Sequence, residues 1–118
     1  MNNEKINIII VDSGVETYHK RFQEISVIGF TYQNGILTEG LCDEYGHGTA
    51  VFDIIKSVSD FASIINIKIP NIEKSVCEDD LIHVLQYIKT NLKCDILNLS
   101  LGINVCSHYD LLKKCCDD

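Results

Sequence analysis

The sequence lacks any cluster of Lys or Arg. Its 10 basic side chains are outnumbered by 17 acidic ones, and the net charge is −7. Nucleic-acid binders present a basic face, so this balance argues against nucleic acid and anionic membranes as partners. Long apolar runs are also lacking. Met1–Lys5 is polar and charged, and the apolar run Ile6–Val11 is too short for a signal peptide or a bilayer span. The expectation is a cytoplasmic protein. No repeat, low-complexity tract or linker interrupts the chain, so residues 1–118 read as a piece of one domain.

Cysteines are present without a pattern. Cys42, Cys77, Cys94, Cys106, Cys115 and Cys116 show no C-x-x-C spacing. Without an export signal they read as reduced thiols, several of them buried as small hydrophobes. His19, His47, His83 and His108 stand apart from the cysteines, except for the loose Cys106/His108 pair. A zinc site is therefore not expected.

What is present alternates in period. Hydrophobic residues make up 46% and charged residues 23% of the chain, a globular balance. Ile6–Val11 reads as a strand buried on both faces, ending in the turn Asp12-Ser13-Gly14. Ile25–Phe30 is a weaker strand. Residues 31–45, with Gly35, Gly40 and many polar groups, read mostly as loop. From Gly46 to Val58 the apolar residues Ala50, Val51, Ile54, Ile55 and Val58 fall at helical spacing. Ala62–Ile69 is a strand stopped by Pro70. Glu78-Asp79-Asp80 puts acid groups at a second helix start, where the helix dipole favours them. Leu81, Ile82, Leu85, Ile88 and Leu92 give that helix a buried face. Cys94–Leu101 reads as a further strand, and Tyr109–Cys116 as the beginning of a third helix. Alternation of this kind predicts an α/β domain with a mainly parallel sheet.

Three segments carry candidate chemistry. In a parallel sheet, reactive groups collect at the C-terminal strand ends, and Asp12 stands at one. Alone, Asp-Ser-Gly is equally a turn-former. His47, between Gly46 and Gly48 at a helix mouth, has small neighbours that let another chain approach its ring. The bland alternative is a glycine-rich helix entry with an incidental histidine. Asp95–Gly102 is a strand running into Ser100-Leu101-Gly102. Such a strand end can pair with an extended peptide, or be a buried strand entering a turn.

Together the three resemble the motifs of the subtilisin-like serine peptidases, the subtilases. Ile8–Val15 is similar to that family's aspartate motif, Gly46–Val51 to its histidine motif, and Asp95–Gly102 to its substrate-strand motif. Ala62–Ile69 resembles the strand between the second and third. The resemblance implies a three-layer α/β fold with a mainly parallel sheet, cut off before its C-terminal strands. It implies His47 as general base, Asp12 as its orienting acid, and Ser100, Leu101 and Gly102 as the strand that holds a peptide or protein substrate. Calcium is implied by the family alone, and no local carboxylate cluster supports it.

The sixteen residues after Gly102 depart from that pattern. They hold no Gly-Thr-Ser-like motif, and Asn104 follows too closely to serve as the oxyanion asparagine. The expectation is a subtilisin-type endopeptidase segment that is inactive alone and needs its serine from elsewhere. A complementary C-terminal half, or self-association through an exposed sheet edge, is the expected partner. The alternative is a non-catalytic, truncated subtilase-like module that binds or regulates. An unrelated flavodoxin-like domain would need a phosphate- or flavin-binding loop, which Gly14, Gly46 and Gly48 do not form.

Overall fold

The computed structural model describes residues 6–17, 27–33, 35–59, 61–70 and 78–99. Within them, strands β1 (Asn7–Asp12), β2 (Ile28–Gln33), β3 (Ile36–Glu39), β4 (Ser63–Lys68) and β5 (Ile96–Leu99) form one sheet in the order β3-β2-β4-β1-β5. Helix α1 (His47–Val58) lies in sequence between β3 and β4, and α2 (Glu78–Asn91) between β4 and β5. The pairs β2–β4, β4–β1 and β1–β5 are parallel, and β2–β3 is antiparallel. The sheet is therefore mixed and mostly parallel, and the domain is α/β.

β1 is an interior strand, paired with β4 and β5, and its β-branched run is explained by burial on both faces. Strand residues alternate between faces. Ile9 and Val11 pack with Ile67, Leu81, Val84, Leu85 and Ile88, the apolar stripe of α2. Ile8 and Ile10 pack on the other face with Phe52 of α1, Val15 and Ile64. The two helices thus cover opposite faces, giving three layers. Asp12 continues the Ile8–Ile10 series, so it belongs to the face on which α1 lies.

The segment 31–45 differs from the expectation of loop. Thr31–Gln33 completes β2 and Ile36–Glu39 forms β3, joined through a turn in which Gly35 has φ 80°. A positive φ is open to glycine at little cost. The β3 side chains are mostly exposed, so no apolar alternation marks the strand. Of the six cysteines, Cys42 and Cys94 are free and exposed. Cys77, Cys106, Cys115 and Cys116 lie outside the described residues, as does the helix expected over Tyr109–Cys116.

Candidate active site

Two glycines let α1 approach the end of β1. Gly46, the residue before the helix, has φ 96°. Gly48 faces the turn after Asp12, and a Cβ there would stand 2.3 Å from the Gly14 carbonyl oxygen. Only a residue without a side chain fits. Gly14, at φ 110°, is equally confined: a Cβ on it would stand 2.3 Å from the Leu41 carbonyl oxygen. The glycines of both motifs are therefore steric requirements of one junction.

That junction joins the predicted pair. The Nδ1 atom of His47 lies 3.0 Å from Asp12 Oδ1 and 2.9 Å from Oδ2. The Asp12 carboxyl is 2% exposed and the His47 side chain 47% exposed. Oδ1 of Asp12 also accepts the Ser13 N–H at 2.7 Å. The Asp12 carbonyl accepts the Ile69 N–H, tying the strand end to the chain after β4. A carboxylate only accepts, so Nδ1 must carry the ring proton. In the neutral form of such a ring, Nε2 is the acceptor. The Tyr45 ring lies nearly parallel to the His47 ring, 19° between planes and 6.0 Å between centroids. This stacking restricts the ring further.

Sequence reasoning missed Asp43, the residue that fastens this corner. Gly46 offers no side-chain cap to α1. The unpaired N–H groups of the first turn are instead met from outside the helix. Gly48 N–H donates to Ser13 Oγ at 2.9 Å, and Thr49 N–H donates to Asp43 Oδ2 at 2.9 Å. The Thr49 hydroxyl donates to the same Oδ2. Asp43 Oδ1 accepts from Ser13 Oγ at 2.7 Å, Gly46 N–H at 2.7 Å and Tyr45 N–H at 3.1 Å. Burial pushes the Asp43 carboxyl up, but bonds from Thr49, Gly46 and Ser13 outweigh it and hold the group below the ordinary carboxylate range. An acid just before a helix was the available signal. It was obscured because Asp43 precedes the helix by four residues rather than one.

Ser13 is next to Asp12 in sequence, yet its hydroxyl is not placed as a nucleophile. It donates to Asp43 and accepts from Gly48. Lys68, at the end of β4, donates its Nζ to the Cys42 carbonyl and holds the 41–43 segment to the sheet. Ser100, Leu101 and Gly102 lie outside the described residues. Their strand is described as far as Leu99, which pairs with Val11. Asp12 and His47 are thus brought together at the C-terminal end of a parallel strand.

Among the described residues, no group of three or more His, Cys, Asp or Glu side chains could hold a metal ion. No described helix is long and apolar enough to cross a membrane. No protein-family model matches this chain, and no curated protein matches it in sequence.

Proposed function

We propose that Asp12 and His47 are the acid–base pair of a subtilisin-type serine endopeptidase. The observation that carries this reading is the buried Asp12 carboxyl engaging Nδ1 of a half-exposed imidazole at 2.9 Å. The three-layer arrangement fits the fold implied by the motif resemblance. In this mechanism Nε2 of His47 takes the proton of an attacking serine hydroxyl. The same nitrogen later returns it to the leaving amine. Asp12 fixes the tautomer and stabilises the imidazolium that forms. The substrate is a peptide or protein, held in extended form beside Ser100-Leu101-Gly102.

The serine and the oxyanion donor have to come from another segment or chain, because residues 103–118 hold neither motif. Loss of such a nucleophile costs on the order of 10⁶ in kcat. The 118-residue polypeptide alone is therefore expected to be inert toward peptides. The test supplies what is missing. A Gly-Thr-Ser motif encoded beyond Asp118, or on a partner chain, should restore hydrolysis of a fluorogenic peptide. Hydrolysis by the isolated chain that His47→Ala abolishes would contradict the assignment of the nucleophile to another segment.

A further inference from the structure

We propose that Asp43 is a positioning residue for the Asp12–His47 pair, acting through Ser13 on one side and the first turn of α1 on the other. This rests on the catalytic reading for its purpose, but its geometry stands independently. Asp43 is 7% exposed and accepts five hydrogen bonds. One comes from Ser13, the residue directly after Asp12. The other four come from Tyr45, Gly46 and Thr49, which bracket His47. The carboxylate is thus the shared acceptor of two segments that have to stay in register for Nδ1 to meet both Asp12 oxygens.

The alternative would be a helix cap with no bearing on the pair. Four of the five bonds fit that description. The Ser13 bond does not, because it reaches across to the β1 turn, 30 residues earlier. Ser13 is itself bonded to the helix through Gly48 N–H, which closes a ring of contacts: Asp43 to Ser13, Ser13 to Gly48, and Thr49 back to Asp43. Two rigid elements joined by such a ring hold their end residues at fixed separation. Without it, the half-exposed His47 ring has one bidentate contact to Asp12 and the Tyr45 stack to keep it in place.

The experiment reads the His47 ring directly in the 118-residue chain, by nitrogen-15 and proton NMR. The unsubstituted chain should show a His47 Nδ1 proton protected from exchange. Asp43→Asn and Ser13→Ala should each lose that protected signal and raise the share of Nε2–H tautomer, with helix content unchanged. Ser13→Ala leaves the Asp43 bonds to Tyr45, Gly46 and Thr49 in place and removes the Ser13 links to Asp43 and Gly48, so it tests the ring of contacts if Asp43→Asn fails to fold. Folded variants that keep the protected proton would overturn the proposal, and so would its absence from the unsubstituted chain. Peptide hydrolysis plays no part in this readout. Failure of the peptidase reading would therefore leave the positioning result distinguishable.

Discussion

Gly48 and Gly14 meet backbone to backbone: a Cβ built on Gly48 would lie 2.3 Å from the Gly14 carbonyl oxygen and 2.9 Å from its nitrogen. This closeness brings the helix that starts with His47 against the turn that follows Asp12. The obstruction is main chain on both sides, so it cannot be relieved by a rotamer change.

Gly48→Ala should accordingly push the start of α1 away from β1. The expected destabilisation is about 1–3 kcal/mol, the usual scale of overpacking in a close-packed site. A urea midpoint lowered together with loss of the His47–Asp12 contact is the expected result. An alanine variant as stable as the parent would show that the junction is looser than described.

The Asp43 carboxyl sets a pH dependence of stability. Its folded-state pKa is depressed, so the unfolded chain binds that proton more tightly. The contribution is fully present above the unfolded aspartate pKa, about 3.9, and is lost as pH falls through the folded value. Asp95 acts in the same direction, through its bonds from the Asn7 backbone and side chain. Comparison with Asp43→Asn isolates the first of these. The gap in urea midpoint between parent and variant should be widest near neutral pH and narrow on acidification. A gap independent of pH would contradict the assignment.

Cys94 is exposed yet should react sluggishly. Partial burial raises its thiol pKa, and the nearby Asp95 charge raises it further. The thiolate is the reactive form, so alkylation at neutral pH should be slower than that of a small peptide thiol. Mass spectrometry of the Cys94 peptide during iodoacetamide labelling checks this. Labelling at or above the peptide rate would contradict it.

The β5 edge carries the expectation about partners. Ile96 is 52% exposed on the last strand of the described sheet. Unpaired strand edges with apolar side chains invite pairing. Ile96→Lys should reduce self-association of the chain in sedimentation at high concentration. A compact monomer for the unsubstituted chain under those conditions would count against an edge-mediated partner.

Much of this fold was legible because burial is simple around β1. Ile6–Val11 was read as a doubly buried strand, and Asn7–Asp12 is one, with α1 and α2 on its two faces. The α2 stripe is legible: Leu81, Ile82, Leu85 and Ile88 are buried. The stripe expected for α1 from Ala50, Val51, Ile54, Ile55 and Val58 needs correction. Val51 and Ile55 pack against the core, Ala50, Ile54 and Val58 are exposed, and Phe52, outside that stripe, is the large side chain α1 buries. The β2–β3 hairpin is not legible, because three of the four β3 side chains are exposed and give no apolar alternation. The Asn34-Gly35 pair in the sequence was the usable signal. In the site, Asp12 and His47 were legible from strand end and helix mouth. Asp43 was not, because it caps α1 from four residues upstream and its Ser13 partner is set by tertiary contact.

The most direct test of the central claim is peptide hydrolysis by the 118 residues joined to the segment that supplies the serine, measured for the parent and for His47→Ala. The account predicts turnover in the parent and a loss on the order of 10⁶ in kcat in the variant. Turnover that survives His47→Ala would contradict it, because the ring held by Asp12 would then not be the base.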